Sequence, residues 1–449
     1  MRKVIVVGLV LRIVPMLIWP TGCTRDECTY QGLADQILAG NGLVAAPNGW
    51  VWAPGYPYLL ALCKLIFFHT YGAKAIQVAL YPLGAWLMWQ ITNRSFAPDD
   101  LANGRPGKVA AWLFALHPTL AYYTGQIWSE ALYTIILLGA VWGLLRSRER
   151  SWRAATLPGA LIGLCVLFRG VATYMAPIFA VAAVWPRPGE GPVAAFRARW
   201  RHACALVLTA VVVVAPYSLH ASNKHGGFLI SDATLGQMMW LGNNVFEPIT
   251  FDYGNGLLNH RVYSAHTEGG RPHCDASLPP AEWNACEVDN GKEWIAANPE
   301  EFLHRVPLRL AQLLNPHTFL TRHIRWGKWP FLPWIAKEGI IIYVALWSGL
   351  VLIGGTIAVW ARGRGTYLLL AAGIVGYHVA AIALLAGLSR YRLPLEPLWM
   401  VFLAVGIAEP KATLRGLRHP LRALGALVCL AALIPLMLWF LPAGFPGYW

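Results

Sequence analysis

The sequence predicts an all-α polytopic membrane protein of about eleven transmembrane helices, with amphipathic external helices. Three observations lead there: 57% of the 449 residues are hydrophobic, only 13% are charged, and apolar runs of bilayer-spanning length recur along the chain. Ordinary soluble domains carry roughly 25% charged residues. The clearest runs, 340–358, 367–387 and 421–441, are each long enough for a helix crossing a hydrocarbon core of about 30 Å.

Taken in order, the expected spans are 4–19, 72–91, 108–123, 128–145, 154–168, 170–186, 202–219, 337–359, 366–387, 392–408 and 421–441. Arg2 and Lys3 ahead of an apolar run give the first the look of a signal peptide. Arg12 interrupts that run and the chain stays membranous beyond it, so a retained first helix is the expectation. Parity then puts the N-terminus in the cytoplasm. The inner loops so assigned contain Arg146, Arg148, Arg150 and Arg153, then Arg187, Arg197, Arg199 and Arg201, then Arg362 and Arg364, then Lys411, Arg415 and Arg418. This is the positive-inside bias. The net charge of +14 therefore reads as topology, and no nucleic-acid partner is expected.

Two polar insertions fall on the outer side and divide the chain into 1–219, a transmembrane region with a first external loop at 20–57; 220–336, an external subdomain; and 337–449, a second transmembrane region. Within the subdomain, 293–314 mixes apolar and charged residues at near-helical spacing, as a helix lying along the interface does. Cys23 and Cys28 share the first insertion, Cys274 and Cys286 the second, and two disulfides are expected in an oxidising compartment. Cys63, Cys165, Cys204 and Cys429 stand in apolar surroundings and read as small buried hydrophobes.

The polar residues near the outer ends of spans are the candidates for chemistry. Asp26 and Glu27 follow the first span, where an acid can take the proton of an attacking hydroxyl or can simply solvate a loop. Glu130 opens a span, as a helix N-terminal carboxylate or as a contact for a polar ligand. Arg169 lies at an outer turn, and Arg390 and Arg392 precede another span. Guanidinium groups there either snorkel to the interface or clamp a phosphate with two parallel hydrogen bonds. Eight of the thirteen histidines lie in the second insertion: His220, His225, His260, His266, His273, His304, His317 and His323. Their spacings match no compact zinc signature. Neither a Walker loop nor a Rossmann glycine fingerprint is present. No cofactor is predicted, and the sequence leaves divalent-metal dependence open.

Several fragments, in order, resemble the C-type glycosyltransferase superfamily, in particular the bacterial branch of protein O-mannosyltransferases and aminoarabinose transferases. They are Asp26-Glu27-Cys28-Thr29-Tyr30, Leu33-Ala34, Gly40-Asn41-Gly42, Pro54-Gly55-Tyr56-Pro57, His117-Pro118, Ser129-Glu130, Trp240-Leu241-Gly242-Asn243-Asn244 and Arg390-Tyr391-Arg392-Leu393-Pro394-Leu395-Glu396-Pro397. The resemblance implies an inverting enzyme of the bacterial inner membrane, with its active site facing the periplasm or exterior. Such an enzyme takes a sugar from a polyprenyl-phosphate carrier and transfers it to a lipid, glycan or protein acceptor. It implies an essential acid at Asp26 or Glu27, Asp26 being favoured. It further implies carrier-phosphate contacts at Arg390 and Arg392 with Arg169 behind them, and substrate contacts at Glu130 and Tyr56. The chain departs from the mannosyltransferases in lacking a long added lumenal domain. It departs from the aminoarabinose transferases in having Ala53-Pro54-Gly55 where those carry Lys-Pro-Pro. The rival readings are a transporter or flippase for lipid-linked glycans, which two related halves would favour, and a noncatalytic membrane assembly protein.

Overall fold

A computed structural model describes residues 1–18, 23, 26–46, 50–96, 104–244, 274–275 and 277–439. His260, His266, His273 and the last residues of the expected span 421–441 lie outside the described residues. The described chain is all-α. Its one β-feature is an isolated antiparallel bridge between Val51 and Ala233.

At the centre stands the helix Glu130–Ser147, apolar on all sides and buried over most of its length. A helix with no polar face belongs inside a bundle. Its ends suit its dipole, with Glu130 in the first turn and Arg146 in the last. At the periphery, Pro192–Lys224 and Pro420–Leu438 are as apolar yet mostly uncovered, exposing Leu208, Val212, Leu421 and Leu427. Side chains of that kind on the outer surface of a bundle call for lipid around them.

Among the described residues, five helices can cross a membrane by length and hydropathy: Glu130–Ser147, Pro192–Lys224, Trp334–Arg362, Gly365–Leu384 and Pro420–Leu438; two bent pairs bring the number to seven. Several of the eleven expected spans are shorter than a crossing needs. Arg105–Leu116 has 12 residues, Thr156–Phe168 has 13 and Met175–Val184 has 10, and at about 1.5 Å per residue none reaches about 30 Å.

Proline accounts for one of the breaks. The expected span 108–123 is two helices, Arg105–Leu116 and Pro118–Thr124. Pro118 starts the second, and His117 before it is extended. The last carbonyls of the first helix are then left for a partner from elsewhere. Arg12 supplies it, donating to the carbonyls of Phe114 at 2.9 Å and Ala115 at 3.0 Å while its guanidinium stacks on Tyr81. This arginine, buried in an apolar helix, is thereby satisfied.

The loop 20–57 is more ordered than its composition implies. It contains the helix Asp26–Leu38, and a helix at Gly55–Phe67 precedes the expected second span, bent by 106° from Tyr71–Ser95. Both insertions share a small core formed by Leu33, Leu43, Val51, Leu229, Ala233 and Ala281. Both disulfides are formed, Cys23 to Cys28 and Cys274 to Cys286.

Two expectations need correction. The segment 293–314 is not one helix but parts of two, Pro280–Ala297 and Pro299–Leu314, because Pro299 begins a new helix after Asn298. The second helix turns Arg305 and Arg309 inward. Arg309 donates to the carbonyls of Gly242 at 2.6 Å and Ala383 at 2.5 Å, at the ends of two other helices. Of the four free cysteines, Cys63 and Cys165 are buried, whereas Cys204 lies on the exposed face of Pro192–Lys224 and Cys429 is half-covered beside Trp360.

The two ends of the bundle should be distinguishable in intact cells. With reactive native thiols removed, a cysteine replacing Lys292 on the helix Pro280–Ala297, on the expected outer side, should react with an impermeant maleimide, and one replacing Arg153 should react only after permeabilisation. The reverse pattern would invert the orientation.

Candidate active site

Asp26 opens its helix, and the disulfide between Cys23 and Cys28 clasps the chain around that start. An Oδ of Asp26 lies 2.6 Å from Nη1 of Arg390, which comes from the short helix Ser389–Arg392 at the far end of the sequence. The side chains retain 29% and 17% of their exposure, so the pair is reachable from outside. Next to it, Glu130 lies 2.7 Å from Arg169 and 4.0 Å from Nε of Arg390. Two acids and two guanidinium groups thus alternate at one end of the bundle. Burial weighs against charge on Arg390, yet Asp26, Tyr391 and Glu130 outweigh it and hold the guanidinium well above its ordinary range. It stays a cation.

Aromatic rings and hydroxyls frame the charges. Arg390 lies over Trp128, Phe319 and Tyr391, each about 5.5 Å from ring centroid to guanidinium carbon. Ser129 Oγ accepts from Arg169 at 3.3 Å and lies 3.3 Å from the Tyr30 hydroxyl. The hydroxyl of Tyr123, Nε1 of Trp128, the Gln126 amide and the hydroxyl of Ser389, all buried on residues flanking the cluster, have no partner among the described residues. Buried polar atoms are normally paired, so this concentration marks a place made for a polar ligand.

The acid doublet divides its work. Glu27 is fully buried and its Oε1 accepts from the Ile127 amide at 3.1 Å, with buried Lys74 within electrostatic reach. It holds the turn before Glu130, whereas Asp26 faces Arg390. Tyr56 is also fully buried; its hydroxyl donates to Gln77, whose amide donates to the carbonyls of Thr124 and Gln126. Tyr56 therefore braces the same turn from behind, packed edge-on against Tyr30.

Arg392 belongs to another network. It is buried, pairs with Glu396 at 2.6 Å, and donates to the carbonyls of Leu313 and Asn315 and to Ser348 Oγ. Glu396 in turn receives His117 Nε2 at 2.5 Å, while His117 Nδ1 accepts from the Leu120 amide. That last bond puts the ring proton on Nε2. The His-Pro break and the late arginine motif are thus locked together beneath the site.

Asp232, in the second insertion, carries no signal in the sequence. It packs against Gly170, where a Cβ would stand 1.9 Å from its carboxylate, and so fixes the turn that follows Arg169. Ser129 lies inside a quoted motif, but its bridging position between Arg169 and Tyr30 depends on segments remote in sequence. Among the described residues, no group of three His, Cys, Asp or Glu side chains is arranged to hold a metal ion.

The arrangement sets a solvent-reachable acid beside paired guanidinium groups at the end of a membrane bundle, a candidate active site. No protein-family model matches the chain and no curated protein matches it in sequence. Among solved structures it is similar to the oligosaccharyltransferase of Archaeoglobus fulgidus. The apo form aligns at TM-score 0.50 and 13% identity over 99% of this chain and 56% of that one. The same enzyme with zinc and sulfate aligns at 0.48 and 13%, over 99% and 53%. Its complex with an inhibitory peptide and a dolichol-phosphate aligns at 0.47 and 14%, over 97% and 54%. The chain spans about half the length of these proteins. At such identity the likeness to the apo form is one of fold.

Gly170→Ala should drive Asp232 off the turn and lower the midpoint of thermal unfolding, as overpacking by about 1–3 kcal/mol does. Gly376→Ala, whose added carbon meets nothing within 4 Å in the helix Gly365–Leu384, is the matched control and should be neutral or stabilising. Equal midpoints would remove Asp232 from the account of how Arg169 is placed.

Proposed function

We propose that the chain is a glycosyltransferase of the bacterial inner membrane, transferring a sugar from a polyprenyl-phosphate carrier to a lipid, glycan or protein acceptor at the outer face. The observation that carries this reading is the reachable pair Asp26–Arg390 with Arg169–Glu130 beside it. The motif resemblance and the shared fold with the apo oligosaccharyltransferase support it. The eleven-crossing topology belongs to the same proposal, the short helices crossing as broken spans together with the segments that adjoin them, or where the bilayer thins locally.

The chemistry is one displacement. An acceptor hydroxyl attacks the anomeric carbon, its proton passes to Asp26, and the bond from that carbon to the carrier phosphate oxygen breaks, leaving the electron pair on phosphate. Attack opposite the leaving group inverts the anomeric centre. In the resting site Arg390 neutralises Asp26. An arriving phosphate draws Arg390 toward itself, which frees the carboxylate to act as base and places a guanidinium on the leaving group as charge develops. Arg169, held by Glu130 and Ser129, stands as the second cation. Arg392, with its donors taken up by protein, holds the floor of the site instead of the substrate.

Asp26→Asn preserves shape and removes basicity, so turnover should fall on the order of 10²-fold or more with carrier binding retained. Glu27→Gln is the comparison, and a loss there confined to the chemical step would move the base to Glu27. The measurement is transfer from a panel of synthetic polyprenyl-phosphate sugars, with the product's anomeric configuration read by NMR. Movement of the lipid-linked sugar across vesicles without transfer would favour a flippase, and a retained configuration would rule out single displacement.

Arg390→Lys keeps the charge but loses the fork that can bridge Asp26 and a phosphate. The apparent KM for the carrier-linked donor should rise with little change in thermal unfolding. Arg392→Lys should show the opposite balance, loss of stability before loss of donor affinity.

A further inference from the structure

The helix Glu130–Ser147 runs from the candidate site at Glu130 to a second polar region at its other end, about 27 Å away at the rise of an α-helix. There a cavity of about 670 Å³ opens among Arg94, Arg148, Arg150, Arg187, Arg199 and His202. Glu149 also lines it and pairs with Arg94 at 2.8 Å.

Most of the donors are accounted for. Arg148 gives its guanidinium to the carbonyls of Ala182, Ala183 and Trp185, where the helix Met175–Val184 ends. Arg187 donates to the Arg148 carbonyl, and Arg199 pairs with Glu190 at 2.5 Å. Two atoms are not accounted for. Arg199 and His202 are 5% and 7% exposed, yet the buried Nε of the first and Nδ1 of the second have no partner among the described residues. His202 Nε2 donates to the Arg150 carbonyl, which leaves Nδ1 as the ring nitrogen available to a ligand. The positive-inside bias accounts for arginines at one end of a bundle but asks for no pocket among them. These converge on one hollow, with buried polar atoms left over.

We propose that this cavity binds the phosphate of an anionic phospholipid head group in the leaflet opposite the candidate active site. A phosphate takes two guanidinium donors side by side, and Nδ1 of His202 is left to accept from a head-group hydroxyl. Free phosphate esters share that chemistry. The lipid source is favoured by tryptophans next in the chain to the lining residues, since Trp152, Trp185 and Trp200 follow or precede Arg150, Pro186 and Arg199 within two positions and are each about two-fifths exposed, as residues at a head-group interface are.

The test uses the full chain in detergent micelles carrying equal phosphatidylglycerol and phosphatidylcholine, with retained lipids counted by native mass spectrometry. Wild type should retain phosphatidylglycerol preferentially. Arg150→Gln combined with Arg187→Gln, both exposed positions, should reduce that preference about tenfold without moving thermal unfolding. Arg199→Lys keeps a cation for Glu190 but removes Nε, and should weaken it as well. Asp26→Asn should leave the preference intact. Displacement of the lipid by millimolar inorganic phosphate would keep the phosphate site and transfer its source to soluble compounds. Equal retention of the two lipids by wild type, or an unchanged preference in both arginine variants, overturns the proposal.

Discussion

Charge that is half-withdrawn from water must be matched, and at the candidate site the match is made between separate segments of the chain, 364 positions apart for Asp26 and Arg390. Asp26 meets Arg390 and Glu130 meets Arg169. Removing one partner of a buried pair commonly costs about 3–5 kcal/mol, because the other charge is left stranded. Glu130, at 4% exposure, is close to that regime, whereas Asp26 keeps 29% and can part from Arg390 at lower cost. The difference gives the two pairs different roles. One holds the site together, and the other is free to exchange partners.

The structure beneath the pairs is organised to hold them in register. Glu27 fixes the turn before Glu130 by taking the Ile127 amide, and Gln77 fixes it again through the carbonyls of Thr124 and Gln126. Behind, Arg392, Glu396 and His117 form a buried chain of charged and polar groups that ties the late motif to the break at Pro118. A polar network inside a bundle must be fully satisfied to be tolerated. Here Leu313, Asn315 and Ser348 complete it.

Adjacent residues in one motif are thus divided between solvent-reachable and buried positions. Arg390 and Arg392 differ by two positions, and Asp26 and Glu27 by one, yet in each pair one side chain reaches the outer face and the other is buried. On a helix, neighbours one or two apart point to different sides, so such a division is forced by geometry. A motif read as a string treats the pair as one unit; the fold separates it.

The sequence by itself determined the class of the fold. The apolar runs require a membrane, and paired cysteines in each insertion anticipated both disulfides, since those properties are local and additive along the chain. It also marked Asp26, Glu130, Arg169 and Arg390, because charges at the ends of apolar segments are rare enough to stand out. Only the tertiary structure decided which of those charges meet, that Tyr56, Glu27 and Arg392 are buried braces, and that Asp232 sets the turn beside Arg169. Nor does the sequence indicate that Arg305 and Arg309 turn inward from a helix whose charge pattern points to an interface. Those outcomes depend on which helix ends leave carbonyls unpaired and on which side chain can reach them, and such partners are fixed only when the helices pack.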